Sequence, residues 1–332
     1  MKSLMALTAL ISIVIGNLAS ALPPAGDLVE VGDVVSHQFS EPTLNGMGLA
    51  SLESLRGKPA LVEFWGHRCP PCVNSAVPDS VALAGEFGEE LTVLLVESQG
   101  ASLDEVEALA YSRKWMGRPA IWTTERPFRT GARGLPNFVL LSCDGEVLLK
   151  GNPISMKAQI EETIKKEIKL SKKAPDGVPR SLKKAWTDFA RGKYASALSA
   201  ARKVADSTGP DAEAAASAVE VFSGRLFAKV ARLNWMVDNG YLVEAEDFAE
   251  ELSKQFRGLE QFDSQVKEIS KKLASPAMKN EMAAAKTFAK LEKKVSAEGL
   301  EGAALRQLAK FAEKKAGTKA ADRARRLAAL AN

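Results

Sequence analysis

The stretch that decides the fold is ALVEFWGHRCPPCVNS, residues 60–75, in which Cys69 and Cys72 directly follow an apolar run. Such a pair can be a metal clip, a structural disulfide or a redox centre that makes and breaks its own disulfide. A closed metal site needs four ligands, and only His67 accompanies the two thiols in this stretch. A structural disulfide across so small a loop contributes little entropy. The pattern favours a redox centre, with the other two sites as alternatives.

The prolines between the cysteines predict where a helix begins. Pro70 and Pro71 suit the first turn of a helix, where a missing N–H group leaves no hydrogen bond unmade. Cys69 would then be the N-cap, and the helix dipole would lower the pKa of its thiol. We therefore expect Cys69 to be the accessible nucleophile and Cys72, one turn further on, to be the covered resolving thiol.

The surrounding chain alternates between strand-like and helix-like segments. The stretches PALVEFW, LTVLLVES and NFVLLSCDGEVLLKG read as strands, and PDSVALAGEFGEE and SLDEVEALAYSRKWMG lie between them as helices. Continuous apolar strands alternating with helices indicate an α/β sheet that is covered on both faces. The CDGEV stretch predicts a hairpin turn, because Asp-Gly supplies positive φ angles. A last helix is expected from Met156 to Leu170.

Residues 28–170 resemble the thioredoxin superfamily, in particular the exported TlpA/ResA-like thiol–disulfide oxidoreductases. The resemblance rests on TLNGMGLASLESLRGKPALVEFW, on Cys69-Pro70-Pro71-Cys72 and on GLPNFVLLSCDGEV, in that order. It implies a thioredoxin-like fold, a central mixed sheet with helices on both faces. It also implies that Pro136 is a cis-proline facing the disulfide, that the backbone at Leu135 pairs with a bound substrate, and that Trp65 is the family's active-site tryptophan.

Two departures from the family pattern bear on mechanism. The family usually has an aromatic residue before the first cysteine, whereas this chain has His67-Arg68. Arg68 would stabilise a Cys69 thiolate. Glu63 falls where thioredoxins carry a buried acid, and a carboxyl group under the pair could accept the proton of Cys72. The alternative is that Glu63 is an exposed residue at the sheet edge.

The second half of the chain is predicted to be helical. The stretch SKKAPDGVPR, residues 171–180, is charged and broken by two prolines and a glycine, so it predicts a linker. Residues 181–332 are rich in Ala, Lys and Glu with a 3.6-residue period, and predict an all-α domain of helical hairpins. A faint repeat begins at Gly192, Gly240 and Gly299. In each copy an Ala follows at the fifth position, which resembles a degenerate tetratricopeptide-like array.

The N-terminus predicts export. Residues 1–21 combine one lysine, the apolar run Leu4–Gly16 and Ala19-Ser20-Ala21, the layout of a cleaved signal peptide. We expect a periplasmic or extracellular protein, with membrane attachment only if the signal peptide is not cleaved. Residues 22–170 carry a net charge of −6 and residues 171–332 a net charge of +9. Three cysteines are too few for a disulfide-stapled scaffold, so the Cys69–Cys72 pair needs another purpose.

These features predict an exported thiol–disulfide oxidoreductase that needs no cofactor. Its expected partners are disulfides of exported proteins, such as apocytochromes, and an upstream thiol–disulfide electron donor. Reductase is favoured over oxidase. The alternative is an interaction scaffold whose helical array docks a protein partner and whose thioredoxin-like part is auxiliary. The basic helical half has few aromatic residues among its lysines, which disfavours nucleic-acid binding. Cys143 is expected to be a free thiol, and Arg126, Arg129 and Arg133 could form a positive rim with Arg68.

Overall fold

The computed structural model describes residues 26–331, so the predicted signal peptide at residues 1–21 lies outside the described residues. Within residues 26–331, no helix is both long and apolar enough to span a bilayer. The described chain consists of a sheet region followed by a helical region.

The sheet region is built on five strands: β1 Ala60–Trp65, β2 Thr92–Glu97, β3 Ile121–Thr123, β4 Asn137–Leu141 and β5 Val147–Gly151. Their order across the sheet is β3-β2-β1-β4-β5. Strands β1, β2 and β3 are parallel to one another, and β4 is antiparallel to both β1 and β5. This mixed sheet, with a cysteine pair after the central strand, is a thioredoxin-like fold.

Two helices, α1 Val77–Phe87 and α2 Leu103–Ser112, connect the parallel strands, and α3 Lys157–Ser171 follows β5. All three contribute to one apolar cluster on one side of the sheet, through residues such as Val81, Val106 and Ile164. The sequence predicts helices on both faces. On the second face the buried cluster includes Val29 and Val35 of the N-terminal segment and Leu52 of the 3-10 helix Leu52–Leu55.

The physical reason lies in the handedness of the connections. The chain moves outward from β1 to β2 to β3, and right-handed crossovers in one direction place their helices on the same side of the sheet. The other side of the sheet is therefore covered by a segment that is not part of a crossover connection. The predicted hairpin at CDGEV and the predicted last helix are both confirmed, as the β4–β5 turn and as α3.

The helical region follows the irregular stretch at residues 172–182. Its helices are α4 Lys183–Ala190, α5 Tyr194–Ala205, α6 Ala212–Asp238, α7 Leu242–Gln255, α8 Glu260–Leu273, α9 Lys279–Glu298, α10 Gly302–Lys314 and α11 Lys319–Ala329. Gly192, Gly240 and Gly299 have φ angles of 73°, 80° and 97°, and each lies in the turn before α5, α7 or α10. The repeated alanines Ala197, Ala245 and Ala304 are buried in these helices.

The helical region contacts the sheet region at several places, two of them through ion pairs. Arg225 of α6 reaches Asp144 in the β4–β5 turn at 3.5 Å. Arg326 of α11 binds α2, with Nη2 2.9 Å from Glu107 Oε1 and Nη1 3.2 Å from Asp104 Oδ1. The first contact lies at the end of the sheet where β1 begins, because Gly57 N–H donates to Cys143 O across 2.7 Å.

Candidate active site

The cysteine pair lies at the end of β1 and forms a Cys69–Cys72 disulfide with a Cα–Cα distance of 5.2 Å. The first helical residue after β1 is Pro70. The carbonyl oxygen of Cys69 accepts a hydrogen bond from Val73 N–H at 3.1 Å, and Cys69 Sγ accepts one from Cys72 N–H at 3.3 Å. Cys69 thus acts as the N-cap of this helical turn, which continues through the π-helical residues Cys72–Ala76 into α1. An N–H donor and a helix N-terminus both favour a negative charge on Cys69 Sγ.

The two cysteines differ in exposure in the predicted direction. Cys72 is fully buried, whereas Cys69 is 7% exposed. The difference is small because Cys69 packs in the same apolar cluster as Cys72 and Val77. Cys69 therefore reaches the surface over a small area, and Cys72 does not.

Glu63 lies inside the protein and not at the sheet edge, which rules out the exposed alternative. It is fully buried in β1, and its neighbours two positions away, Leu61 and Trp65, pack in the same cluster as Cys72. Since side chains alternate along a strand, Glu63 points to the side of the sheet that carries the disulfide. Ser80 Oγ of α1 donates to its Oε2. Its Oε1 has no hydrogen-bond partner among residues 26–331.

Burial sets the acidity of this carboxyl group. Desolvation raises the pKa of Glu63 to about 8, and the hydrogen bond from Ser80 offsets only part of that increase. A carboxyl group with a pKa near neutrality can both accept and return a proton under ordinary conditions. Glu63 therefore has the burial and the acidity expected of a proton acceptor beneath the disulfide.

The loop before β4 has the backbone that the sequence predicts. The Leu135–Pro136 peptide bond is cis. Pro136 is buried and Leu135 is half-buried, so the backbone at Leu135 reaches the surface. The side chain of Asn137 secures this turn, since its Nδ2 donates to Gly134 O at 3.0 Å and its Oδ1 accepts from Thr130 Oγ1 at 2.7 Å.

Glu97 is a site residue that the sequence reasoning did not identify. It ends β2 beside Trp65 of β1, and its carboxylate is 1% exposed. Oε1 accepts from His67 Nδ1 at 3.0 Å, and Oε2 accepts from the N–H groups of Gly100 and Ala101 at 3.0 Å each. Burial alone would raise the pKa of Glu97, but the hydrogen bonds, that of His67 foremost, hold it below the ordinary value. Glu97 is thus an ionised anchor for the turn before Cys69.

Ser98 and Gln99, which follow Glu97, bind the segment before the cis-proline and the cysteine turn, respectively. Gln99 Oε1 accepts from Arg68 N–H at 2.9 Å, next to Cys69. Ser98 is bound by Arg126, whose Nε lies 3.2 Å from Ser98 Oγ and whose Nη2 lies 3.2 Å from Ser98 O. The clamp loop, residues 97–101, therefore ties the cysteine turn to the segment that leads to the cis-proline.

The resemblance implies that Trp65 is the active-site tryptophan and contacts substrate, but the structure buries its side chain. Trp65 is fully buried, and its ring packs edge-on against Trp115 and Trp122 at 6.2 and 5.7 Å between centroids. A large aromatic ring on the inner face of a central strand is placed there by core packing. Trp65 therefore supports the end of β1 from below instead of facing a client.

The other residues that the sequence predicts for the site lie at or near the protein surface. Arg68, Arg126, Arg129 and Arg133 are all exposed, and the last three belong to the segment before the cis-proline. Cys143 is a free thiol in the β4–β5 turn, and burial raises its pKa to about 12. His67 is committed to Glu97, and the described residues contain no group of three or more His, Cys, Asp or Glu side chains that could hold a metal ion.

No family model and no curated protein sequence matches the chain. Among solved structures, a thioredoxin-like superfamily protein is similar at 16% identity over 41% of this chain and 96% of its own, with a TM-score of 0.36. A putative thioredoxin from Neisseria meningitidis is 26% identical over 41% of this chain and 92% of its own, with a TM-score of 0.32. A putative thiol:disulfide interchange protein DsbE from Chlorobium tepidum is 20% identical over 42% of this chain and 99% of its own, with a TM-score of 0.33.

Proposed function

We propose that the protein is an exported thiol–disulfide oxidoreductase that reduces disulfides of exported client proteins. The observation that carries this proposal is the geometry of Cys69, whose Sγ lies at a helix N-terminus and accepts from Cys72 N–H, together with a buried carboxyl oxygen of Glu63 that has no hydrogen-bond partner among residues 26–331 and lies on the same side of the sheet as Cys72. Thiolate stabilisation at one sulfur and a proton acceptor beneath the other are what a dithiol–disulfide cycle requires.

The cycle has two steps. In the first, the Cys69 thiolate attacks one sulfur of the client disulfide, which forms a mixed disulfide and releases the other client sulfur as a thiolate. In the second, Cys72 gives its proton to Glu63 and its sulfur attacks Cys69 Sγ. The Cys69–client bond breaks, the second client sulfur leaves as a thiolate, and the Cys69–Cys72 disulfide remains. The client has gained two electrons, and an upstream thiol–disulfide donor restores the dithiol.

The direction of electron flow follows from two opposing effects. A helix N-terminus and Arg68 stabilise the reduced thiolate, which makes a protein more oxidising. Glu63 supports the resolving step of a reductase, and because burial raises its pKa to about 8, the ionised form that accepts the Cys72 proton grows as the pH rises towards 8. We favour the reductase on the resemblance to TlpA/ResA-like proteins, with exported apocytochromes among the candidate clients.

The helical region, taken as a separate domain from residue 181 onward, is proposed to select or hold the client. Its glycine-marked pairs α4–α5, α6–α7 and α9–α10 support comparison with tetratricopeptide-like hairpins. The rival hypothesis, a scaffold with an auxiliary redox part, leaves unexplained why both thiols, the cis-proline and a buried acid occur together.

The decisive experiment is the reduction potential of the Cys69–Cys72 pair, with turnover of a model peptide disulfide measured alongside. A potential near about −270 mV assigns a reductant, and one near about −120 mV assigns an oxidant. Cys69→Ser should abolish turnover, whereas Cys143→Ser should leave it unchanged. Limiting iodoacetamide should label Cys69 first in the reduced protein. Turnover that survives Cys69→Ser would refute the proposal.

A further inference from the structure

A group of five cations lies where α6 meets the segment before β1. We call it the junction cluster: Arg56, Lys58, Arg225, Lys229 and Arg232. Arg225, Lys229 and Arg232 follow one another at spacings of four and three residues, so they form one stripe along α6. Arg225 Nη1 lies 3.6 Å from the position that a Cβ on Gly57 would occupy, which places it beside the segment that holds Arg56 and Lys58.

Aromatic rings bring the cations of the stripe together. Lys229 Nζ lies 5.9 Å and Arg232 Cζ 5.6 Å from the centroid of the same ring, that of Phe248. Arg225 Cζ lies 6.0 Å from the ring of Trp186. Cations over aromatic faces are stabilised in place, and the rings displace water from their apolar side. The aromatic rings therefore hold the three side chains of the stripe together, so that these side chains do not extend separately into solvent.

The carboxylates nearby do not balance these charges. Asp144 lies 3.5 Å from Arg225, and Glu89 lies 3.7 Å from Lys58 with a side chain that is 91% exposed. Glu251 is the third acid that acts on the stripe. The acids that the structure places against these cations are thus Asp144, Glu89 and Glu251, and the side chain of Glu89 is almost fully solvated. An exposed acid at 3.7 Å provides little compensation.

Two further observations show that the pairing of the cations is incomplete. The Nε atoms of Arg56 and Arg232 are buried and have no hydrogen-bond acceptor among residues 26–331. Burial is the main cause that lowers the pKa of Lys229, and the charges of Arg232 and Lys58 lower it further. Like charges that are partly desolvated and close enough to lower one another's pKa are unfavourable unless an anion joins them.

We propose that the junction cluster binds a multivalent oxyanion, namely a phosphate or a phosphate-ester group. Guanidinium groups match the geometry of phosphate oxygens through paired N–H donors, and a lysine adds a point charge. A bound phosphate would bridge Arg56 and Lys58 of the sheet region to the α6 stripe. It would therefore stabilise the placement of the helical region against the sheet region. The proposal does not depend on the cysteine chemistry.

Titration of the full chain with sodium tripolyphosphate, by calorimetry and by thermal unfolding, tests this site. Lys229→Gln combined with Arg232→Gln should weaken binding about 10-fold or more. Lys310→Gln combined with Lys314→Gln removes two exposed charges from α10 and should change the affinity by less than about 2-fold. Sodium chloride at the same ionic strength should not reproduce the thermal stabilisation, and inorganic phosphate should reproduce part of it.

A second variant guards against misfolding of the first. Lys58→Gln lies in the segment before β1 and should also weaken tripolyphosphate binding. Without the anion, Lys229→Gln with Arg232→Gln should unfold at the same temperature as the wild type or a higher one, because repulsion is relieved. Equal stabilisation by chloride, or an equal loss of affinity in the α10 variant, would show that the cluster is an ordinary solvated patch.

Discussion

At the scale of single residues, the buried carboxyl group of Glu63 is the least expected feature of the sheet. An ionisable side chain on the inner face of a central strand opposes folding, because its charged form is desolvated. Ser80 is its only hydrogen-bond donor among the described residues, and Oε1 is left without a partner. A group that destabilises the fold and lies on the disulfide side of the sheet is best explained by proton transfer to and from Cys72.

Glu63→Gln should separate the two steps of the cycle. The amide keeps the shape and a hydrogen bond to Ser80 but cannot accept a proton. We expect the resolving step to slow by a factor on the order of 10², while the first attack by Cys69 changes little. Mixed disulfides should accumulate, and rapid quench followed by mass spectrometry would detect them. Equal resolving rates in wild type and variant would remove Glu63 from the mechanism. Ser80→Ala serves as a control that keeps the carboxyl group.

Glu63 should also make the stability depend on pH. Its folded pKa of about 8 lies above the ordinary value of 4.5, so the folded state holds a proton that the unfolded state has lost. Wild-type stability should therefore fall as pH rises from about 4.5 to about 8, by a few kcal/mol at about 1.4 kcal/mol per pKa unit. Glu63→Gln should lack this component. Urea unfolding of both proteins at pH 5 and pH 8 would measure it, and parallel curves would contradict it.

At the scale of elements, the clamp loop is the part that makes one site out of two segments. The cysteine turn and the cis-proline segment are separated along the chain, and each has its own anchor on residues 97–101. Glu97 holds the cysteine turn through His67, and Ser98 holds the other segment through Arg126. A carboxylate that accepts several N–H groups from one loop fixes that loop more firmly than any one bond would.

Glu97→Gln tests this element. Only one of the two oxygens remains an acceptor, so either Gly100 and Ala101 or His67 and Gln99 lose their hydrogen bonds to this side chain. We expect a loss of about 1–3 kcal/mol in stability and a slower first attack by Cys69, with the resolving step less affected. Glu105→Gln is the matched control, because Glu105 is an exposed acid four residues beyond the loop. The same stability loss and the same rates in both variants would contradict a positioning role for Glu97.

The four exposed arginines should act on client encounter. Arg68, Arg126, Arg129 and Arg133 border the site on a half of the chain that is otherwise acidic. Reduction of an acidic peptide disulfide should be faster than that of a basic one at low salt, and the advantage should vanish as salt screens the charges. Arg133→Gln should reduce the advantage, whereas Arg113→Gln, at the far end of α2, should not. Identical salt responses for both peptides would show that the four arginines do not favour acidic clients.

At the scale of the whole molecule, the docking of α11 on α2 connects the end of the chain to the redox region. Glu107 has a side chain that is 5% exposed, and its carboxylate is bound by Arg326, which is 49% exposed. Burial raises the pKa of Glu107, and the hydrogen bond from Arg326 opposes that change. Tyr111 of α2 packs in the same apolar cluster as Phe288 and Leu327 of the helical region. Apolar packing and one half-buried ion pair therefore act at the same contact.

Arg326→Gln should leave Glu107 buried without its charged partner. Because Arg326 is half-exposed, we expect a loss of about 1–2 kcal/mol, less than for a fully buried pair. The loss should diminish at low pH, where Glu107 is protonated. Arg325→Gln is the control, because the Arg325 side chain pairs with Asp322, which is exposed. Denaturant titration at two pH values would measure both, and equal effects of the two substitutions would contradict the assigned contact.

Much of the fold was accessible from local sequence. The apolar run before Cys69, the double proline and the Asp-Gly turn each act over a few residues. They correctly predicted β1, the helix start at Pro70 and the β4–β5 hairpin. The glycines Gly192, Gly240 and Gly299 marked the turns between helices because positive φ angles are a local requirement. The sequence placed Glu63 in β1 but left its burial open, since an exposed position at the sheet edge was the alternative.

What the sequence alone could not decide concerns residues brought together by distant segments. Glu97 ends an apolar strand like many surface acids, and only the parallel pairing of β1 with β2 sets it beside His67. Trp65 sits next to the cysteines in sequence but packs inward, because Trp115 and Trp122 converge on it from other elements. On the second face of the sheet the N-terminal segment completes the core, because crossover handedness, a property of the whole topology, places α1 and α2 on the first face. Local residues thus determined the elements and the reactive pair, whereas tertiary packing decided which charges and rings surround them.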